Sequence, residues 1–523
     1  MADPKPLLSP STPKSPTLDS LIPSVDEMIE RCTGRFGWAQ LVQALVVSLA
    51  WVFDAQQTFI TIFTDAQPPW RCTDQASRTC SPSANICRLP KTAWTWENPQ
   101  TSSTLSEWSL ECAGSVVAGL PASSFFMGCL LGGFALASFA DSSLGRKNVL
   151  FLSCLTMSVS ALLTAFSFNI WVYAVLRFVS GFGRASIGTC AFVLSTEIAG
   201  KRWRSQVGIV GFFCFALGFL SLPALAYENR DSSWRTLYLW TSVPSIFYCI
   251  LVHFLVRESP RWLFMQGRKE EAMATLKKIA CATTDDDNGL NLLLVKHETL
   301  RVDHNINPRC SVFKTFKEKK WALRRLLTVV VLGFGIGIVY YGMPLGVGNL
   351  AFNLYLSVTF NALSEVPSSL LVFFFIGKWK RRKSLLAFTS MSGICSVMCV
   401  VVGDGVLKGY LQVGLELASF FGACTAFSVL LIHTLELFPT CVRNSATSMV
   451  RQALVLGGVL SPMVIAAGRH NAFLSYGTFG VLIFFSGLFV VCLPETKGSA
   501  LCDTMEEQER KETAVASDLV KGV

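Results

Sequence analysis

Ionisable side chains stand inside stretches of this sequence that are otherwise apolar. Asp54, Glu365 and Arg451 are the clearest cases. A charge placed in lipid costs about 3 kcal/mol or more, so such residues usually face a partner or a water-filled cavity. A carboxylate near aromatic faces is also the arrangement that holds an organic cation. These residue types therefore indicate binding and passage of a charged small molecule.

Three residues are candidates to bind a cation. Glu365 stands near the middle of its apolar stretch, beside Pro367. It would serve as the counter-charge of a quaternary ammonium group; the alternative is an internal pair with Arg451. Tyr340 and Tyr341 are adjacent, and adjacent helical residues point about 100° apart. We therefore expect one of them, Tyr340, to face a ligand, with ordinary packing as the alternative for both.

Asp54 and Arg451 have different candidate roles. Asp54 is a candidate for proton or ion coupling, because burial disfavours the charged form of a carboxyl group. Its alternatives are a place near the mouth of a cavity or a pair with a distant arginine. Arg451 is a candidate partner for the carboxylate of a zwitterion. Its alternative is a structural pair with Glu365 or Glu416.

The elements that must position these residues are membrane helices. The chain has 523 residues, of which 51% are hydrophobic and only 15% are charged, whereas soluble proteins have about 25% charged residues. Apolar runs of about 20 residues predict transmembrane helices. We place twelve of them, in two sets of six, at 38–63, 113–139, 148–167, 169–195, 205–227, 234–256, 326–348, 351–376, 384–402, 409–432, 445–467 and 474–493.

Basic residues are concentrated in the loops on one side of these spans, as in the groups 146–147, 201–204 and 378–383. By the positive-inside rule, that side is cytosolic and both termini lie there. The predicted organisation is an all-α polytopic membrane protein. Its parts are a cytosolic tail at 1–37, a six-helix bundle at 38–256, a cytosolic loop at 257–325, a second six-helix bundle at 326–493 and a cytosolic tail at 494–523. Within the central loop, residues 268–280 have the charge spacing of a solvated helix.

The long loop 64–112 then lies on the opposite, oxidising side of the membrane. It contains four cysteines, Cys72, Cys80, Cys87 and Cys112. Four cysteines in such a loop fit two disulfides, with three possible connectivities. Zinc is the weaker interpretation, because the spacing is loose and no histidine is near. We expect no metal site.

Other function classes find little support. The net charge of +10 does not predict nucleic-acid binding, because the basic residues flank apolar segments instead of forming one soluble face. The stretch "STEIAGKRW" at 195–203 superficially matches a nucleotide-binding loop, but Arg202 stands where Ser or Thr should hold magnesium. No cofactor, nucleotide or enzymatic constellation is expected. Asp3, Leu7 and Leu8 form a sorting pattern that favours the vacuolar membrane, with the plasma membrane as the alternative.

Several motifs carry a resemblance to a known family. "GGFALASFADSSLGRKN" (132–148) is similar to the loop motif of the major facilitator superfamily, with Asp141, Gly145, Arg146 and Lys147 matching. "RESPRWLFMQGR" (257–268), "TLSEWSLEC" (104–112), "LELFPTCVRN" (435–444) and "LPETKG" (493–498) resemble the organic cation, carnitine and anion transporter family. The entry stretch and the Pro-rich tail look like its plant members. The resemblance covers nearly all of the chain after residue 35.

The resemblance implies roles for residues at both ends of the spans. Glu365 and the tyrosine pair would line the substrate cavity. Asp141, Gly145, Arg146, Lys147, Glu197, Glu436 and Arg443 would form a latch at the cytosolic face. The family places its charge of the eleventh span at the position of Val455, so Arg451 is displaced by one helical turn. The same resemblance implies a structural arginine in the fourth span, where Arg177 and Arg184 stand.

The function implied is transport of an organic cation or zwitterion, such as carnitine, by alternating access of two halves across the lipid bilayer. A proton or sodium ion is a candidate co-transported partner. Transport of an organic anion or sugar by the same fold is the alternative. A membrane sensor that moves nothing is a remote one, because both tails are short and polar.

Overall fold

The computed structural model describes residues 38–73, 80, 86–140, 144–198, 204–279, 316, 319–350, 352–401, 408–469, 473–497 and 505–510. The predicted sorting pattern at Asp3, Leu7 and Leu8 lies outside these residues. So do Asp141 of the predicted latch and most of the central loop.

Twelve helices in the described part of the chain are long and apolar enough to cross a membrane. The prediction of twelve spans in two sets of six is confirmed, and the bounds agree within a few residues. We number the spans in chain order. They are Trp38–Thr64, Ser115–Ala135, Arg146–Thr164, Ile170–Glu197, Val210–Glu228, Trp234–Leu255, Lys320–Asn349, Leu354–Phe375, Arg381–Val401, Gly409–Leu437, Val442–Ala467 and Phe473–Cys492.

Several spans are broken or extended helices. Span 1 consists of the helices Trp38–Ser48, Ala50–Phe59 and Thr61–Thr64, and span 4 of Ile170–Arg184 and Ile187–Ile198. Four helices extend beyond their apolar windows: Ser115–Ala140, Arg204–Glu228, Lys408–Leu437 and Thr440–Ala467. Span 12 opens with a π-helical turn, Phe473–Gly477, and ends in the 3₁₀ turn Phe489–Cys492. Asparagine side chains cap two spans at their first turn, Asn169 before span 4 and Asn353 before span 8, which satisfies backbone N–H groups that a helix leaves free.

The loop between spans 1 and 2 is a small unit that two disulfides cross-link. Strand β1 (Trp70–Cys72) pairs antiparallel with strand β2 (Trp94–Trp96). One disulfide joins Cys72 to Cys80 and the other joins Cys87 to Cys112. The sequence left three connectivities open, and the structure has the one that pairs Cys72 with Cys80 and Cys87 with Cys112. We call the side of the molecule that carries this loop the disulfide-loop face.

Two carboxylates fasten this loop to the helices beneath it. Asp65 accepts hydrogen bonds from Thr104 Oγ1 and from the Tyr173 hydroxyl in span 4, both at 2.9 Å. Glu107, in the short helix Thr104–Glu107, accepts from Trp234 Nε1 at 2.7 Å and from Arg235 at 2.5 Å at the start of span 6. The motif "TLSEWSLEC" thus holds the loop on the first half of the molecule.

The opposite side carries the segment that joins the two halves, and we call it the connection face. Two short helices lie there, Pro260–Met265 and Lys269–Ile279. The second matches the helix predicted at 268–280. It buries Ala272, Met273 and Leu276 and exposes Glu270 and Glu271.

The two halves meet along two pairs of spans, 2 with 11 and 5 with 8. Span 2 approaches span 11 so closely that a Cβ atom on Gly119 would lie 2.8 Å from the Pro462 carbonyl oxygen. At the disulfide-loop face, Tyr355 of span 8 stacks on Phe63 at 5.6 Å and meets Tyr227 at 5.5 Å. These rings join the halves on that face, and the candidate functional residues lie deeper within the spans.

Candidate functional site

Glu365 lies near the middle of span 8, with only 8% of its surface exposed. The Tyr340 hydroxyl in span 7 donates a hydrogen bond of 2.7 Å to its Oε1 atom. No lysine or arginine of the described residues forms an ion pair with Glu365. A buried carboxylate without a cation is costly in a membrane interior, so Glu365 is suited to receive a positive ligand.

The two tyrosines of span 7 point in different directions, as their adjacency predicts. Tyr340 lies against Phe420 and Phe427 of span 10, with ring centroids 5.9 and 4.8 Å away. Tyr341 meets Phe126 of span 2 across the interface at 4.7 Å. The rings of Tyr340 and Tyr341 are 5.0 Å apart and nearly perpendicular. The resulting aromatic wall connects the two halves beside Glu365.

Asp54 of span 1 forms a buried ion pair with Arg184 of span 4. This is the pairing with a distant arginine that the sequence left open as an alternative. The Arg184 guanidinium also lies 5.9 Å from the Phe125 ring centre. Two turns earlier in span 4, Arg177 donates to the Gln57 backbone oxygen at 2.9 Å and lies 4.2 Å over the Phe125 ring centre. Arg177 is completely buried, as befits a structural arginine.

Arg451 of span 11 donates a hydrogen bond of 3.1 Å to Thr189 Oγ1 in span 4. This bond crosses from the second half to the first. The suggested pair with Glu365 or Glu416 is absent among the described residues, because Glu365 accepts from Tyr340 and Glu416 from Asn361. Tyr341, Arg184 and Asp54 act on Arg451 electrostatically, so Arg451 belongs to the central group of charges.

The central residues therefore form two poles. The negative pole is Glu365 with Tyr340, on the second half. The positive pole is Arg451 with the Arg184–Asp54 pair, and Tyr341 lies between the poles. A cation with an attached carboxylate matches this arrangement, because each of its charges would meet an opposite charge.

Residues that the sequence predicted as a latch form two similar ion pairs on the connection face, one in each half. In the first half, Arg146 lies 3.5 Å from Glu197. In the second half, Arg381 of the basic group 378–383 lies 2.8 Å from Glu436. Each pair joins the start of one span to the end of the next span of the same half, span 3 to span 4 and span 9 to span 10. In this state the described pairs therefore stiffen each half and do not bridge the halves.

Two glutamates extend these pairs into two sets of residues, and sequence reasoning assigned them no role. Glu258 accepts from the backbone N–H groups of Arg146 and Lys147, both at 3.1 Å. Glu495 accepts from the backbone N–H groups of Arg381 at 2.8 Å and Arg382 at 3.3 Å. Each carboxylate thus caps the first turn of a span, where the helix dipole favours a negative charge. The signal that could have found them is a Glu followed by a hydroxyl residue in both "RESP" and "LPET", after spans 6 and 12.

The surroundings of Glu258 have opposing effects on the pKa of its carboxyl group. Burial raises the pKa of the Glu258 carboxyl above its ordinary value. The hydrogen bonds from the backbone N–H groups of Ser259, Lys147 and Arg146 act in the opposite direction, as does the charge of Arg146. The negative charge that caps span 3 therefore depends on these donors staying in place.

Gly145 is required at the turn before span 3. Its φ is +83°, and a Cβ atom there would lie 2.2 Å from Glu258 Oε2. We expect Gly145→Ala to lower the free energy of unfolding by about 1–3 kcal/mol from backbone strain alone, and further by displacing Glu258. Thermal unfolding of the purified protein in detergent measures this loss.

Gly267 supplies the matched control for that substitution. It also has a positive φ, +78°, but a Cβ atom there would meet nothing within 4 Å. Gly267→Ala should therefore show backbone strain without the loss of the Glu258 contact. Equal destabilisation by the two substitutions would contradict the role given to Glu258.

The remaining residues of the predicted latch have other contacts. Arg443 donates to the Phe438 backbone oxygen at 3.2 Å, so it supports the turn before span 11. Lys147 contributes its backbone N–H to Glu258. Asp141 lies outside the described residues.

Comparison with known protein families identifies the same fold. A model of the family described as "Sugar (and other) transporter" matches residues 91–508. The inward-open structure of the xylose transporter XylE from E. coli superposes with a TM-score of 0.60 at 18% identity, covering 88% of this chain and 98% of that one. A partially occluded inward-open structure of XylE gives a TM-score of 0.62 at 16% identity. The predicted major facilitator fold of two six-helix bundles is thereby confirmed.

Curated relatives are similar over nearly the whole chain. "Organic cation/carnitine transporter 3" of Arabidopsis thaliana is 58% identical over 94% of both chains. "Organic cation/carnitine transporter 2" of the same organism is 55% identical over 98% of both chains. The human protein named "Organic cation/carnitine transporter 2" is 33% identical over 79% of this chain and 74% of its own.

Proposed function

We propose that this chain, which belongs to the organic cation/carnitine transporters of the major facilitator superfamily, carries carnitine or a related quaternary ammonium compound. Membrane transport follows from the family; the substrate is our proposal. The observation that carries it is the pairing of a buried, cation-free Glu365 with an aromatic wall. That combination suits a quaternary ammonium group, which has no proton to donate and is held by charge and ring faces.

The positive pole favours a zwitterion over a simple cation. In the proposed complex, the ammonium group lies against Glu365 and Tyr340, and Arg451 meets the carboxylate. Tyr341 fills the side between them. An organic anion is the second candidate, because Arg451 and Arg184 contribute two positive charges to the same region and Asp54 balances only one of them.

Transport by alternating access requires that the halves separate on one face while they close on the other. Tyr355 joins the halves at the disulfide-loop face in this state, so we propose that the site opens towards the connection face. The sets Arg146–Glu197–Glu258 and Arg381–Glu436–Glu495 lie on that face. We propose that their charges exchange partners between the halves when that face closes, and so act as the latch.

We propose that Asp54 participates in ion coupling through its pair with Arg184. Asparagine keeps the size of the side chain, but it can neither take up a proton nor supply a carboxylate to a metal cation. Asp54→Asn should therefore make uptake insensitive to the gradient of the coupling ion, and the unpaired charge of Arg184 should also weaken the binding of a cation. Uptake into proteoliposomes with imposed proton or sodium gradients measures this, and a gradient response equal to that of wild type would refute the role.

The orientation is also a proposal. Because Arg146, Lys147, Lys378 and Arg381 lie on the connection face, the positive-inside rule makes that face cytosolic, with both termini beside it. The sorting pattern in the N-terminal tail favours the vacuolar membrane over the plasma membrane. Protease protection of terminal tags tests the orientation, and co-fractionation with membrane markers decides between the two membranes.

The function is tested by uptake into proteoliposomes that contain the purified protein. The panel includes labelled carnitine, choline, a polyamine, an organic anion and xylose, with protein-free vesicles as the control. We expect saturable uptake of carnitine or choline. Uptake of the anion or the sugar alone would replace our proposal by the corresponding alternative. If no compound is taken up, the membrane sensor remains as the alternative function.

A further inference from the structure

A second buried carboxyl group lies in the second half, outside the residues that face the proposed substrate. Glu416 stands in span 10 and is completely buried. Its Oε2 atom accepts a hydrogen bond of 3.1 Å from Asn361 Nδ2 in span 8. Within the described part of the chain, no lysine or arginine pairs with Glu416. An ionised carboxylate in this place would pay the full cost of a buried charge.

The orientation of the Asn361 amide is determined by its two donor contacts. Its Nδ2 atom donates both to Glu416 and to the Ser357 backbone oxygen at 3.0 Å, which uses both of its hydrogens. The other amide atom, Oδ1, must therefore be an acceptor. Oδ1 of Asn361 and Oε1 of Glu416 are both buried and have no hydrogen-bond donor among the described residues.

One proton would satisfy both oxygens. If Oε1 of Glu416 is protonated, its O–H group can donate to Asn361 Oδ1 while Asn361 Nδ2 donates to Oε2, which closes a ring of two hydrogen bonds. Without that proton, two buried acceptors remain unpaired, and each keeps its full desolvation penalty. We propose that Glu416 and Asn361 form a proton-binding site, and that its proton is released and taken up again during the transport cycle. The inference rests on the proposed transport function.

The neighbours of Glu416 include a group suited to the released state. The titratable side chains that interact electrostatically with Glu416 are Cys399 of span 9, Cys424 of span 10 and Tyr476 of span 12. The hydroxyl of Tyr476 is buried and has no partner among the described residues. When the O–H bond of Glu416 breaks and its proton leaves to water, the carboxylate gains a lone pair that the Tyr476 hydroxyl can approach as a donor.

The proton site is connected to the substrate site by two helices. Asn361 and Glu365 stand one turn apart on the same face of span 8. On span 10, Phe420 follows Glu416 by one turn and stacks on Tyr340, the partner of Glu365. A movement of span 8 that separates Asn361 from Glu416 therefore also moves Glu365. In addition, a negative charge on Glu416 would strengthen the field that holds a cation at Glu365.

The test is Glu416→Gln, because glutamine reproduces the protonated state. Its amide can donate to Asn361 Oδ1 and accept from Asn361 Nδ2, so the ring of two hydrogen bonds is kept, but no proton can be released. We expect exchange of labelled for unlabelled substrate to continue at a rate within about threefold of wild type. Net uptake driven by a proton gradient should fall at least tenfold. Infrared spectra of wild type should contain a protonated-carboxyl band that Glu416→Gln lacks.

The outcomes separate this inference from the proposed function. Glu416→Gln with wild-type net uptake and pH response would overturn the inference. So would a wild type that exchanges substrate but ignores the proton gradient, or infrared spectra without the expected difference. A wild type that neither accumulates nor exchanges any organic cation would instead refute the proposed function. Glu416→Ala serves as the folding comparison, because it breaks the ring and should lose both exchange and net uptake.

Discussion

Replacing Glu365 with glutamine should reduce uptake of an organic cation about 100-fold or more at low substrate concentration. Glutamine keeps the size of the side chain and an oxygen for the Tyr340 hydroxyl, but it removes the charge that balances the substrate. Breaking one partner of a buried charged pair costs about 3–5 kcal/mol, and each ~1.4 kcal/mol is a factor of ten. Initial rates of labelled choline and carnitine uptake measure the loss.

Two comparison variants make this result specific. Tyr340→Phe keeps the ring against Phe427 and removes only the hydroxyl, so we expect a loss of about tenfold. Glu228→Gln removes a negative charge from the exposed end of span 5 and should leave uptake unchanged. If Glu365→Gln transports both substrates at the wild-type rate, the carboxylate has no contact with the ammonium group, and the proposed pole is wrong.

The spans were predictable because hydropathy is a local property of the chain. A run of about 20 apolar residues predicts a membrane span independently of the rest of the chain, so the twelve spans and their approximate bounds followed from the sequence. The two disulfides and the helix at 268–280 also followed from local features, four cysteines in one loop and the spacing of charges along one segment. Which cysteines pair depends instead on how the loop folds, which brings Cys72 to Cys80 and Cys87 to Cys112, and spacing alone does not determine that.

The partners of the buried charges could not be predicted, because they depend on how each helix is rotated about its axis. Asp54 and Arg184 are far apart in the sequence and meet only when spans 1 and 4 pack. The partner of Arg451 is Thr189 of the other half, which has no charge. Glu258 and Glu495 were overlooked for another reason: they accept hydrogen bonds from backbone N–H groups. Because all residue types except proline have this group, the residue types do not indicate such a contact.

Replacing Arg451 with glutamine should separate the two classes of substrate. The variant loses the proposed partner of a carboxylate, so carnitine uptake should fall about tenfold to 100-fold, the range expected for a hydrogen bond to a charged group. Choline has the same ammonium group and no carboxylate, and its uptake should stay unchanged or rise. The ratio of the two initial rates, measured in one preparation, is the readout. Arg451→Lys is the control, because it keeps the positive charge and should retain a preference for carnitine.

Moving the arginine by one turn tests whether its displacement matters. Val455 lies four residues after Arg451 and packs against the aromatic cluster of Phe125, Phe126 and Tyr341. Residues four apart lie on nearly the same face, about 6 Å along the helix axis. The double variant Arg451→Val, Val455→Arg should therefore place the charge beside Tyr341 and restore part of the carnitine uptake that Arg451→Gln loses. An equal loss of carnitine and choline uptake in Arg451→Gln would instead assign the arginine to the contact with Thr189 and the packing of the halves, because a structural contact cannot distinguish a substrate by its carboxylate.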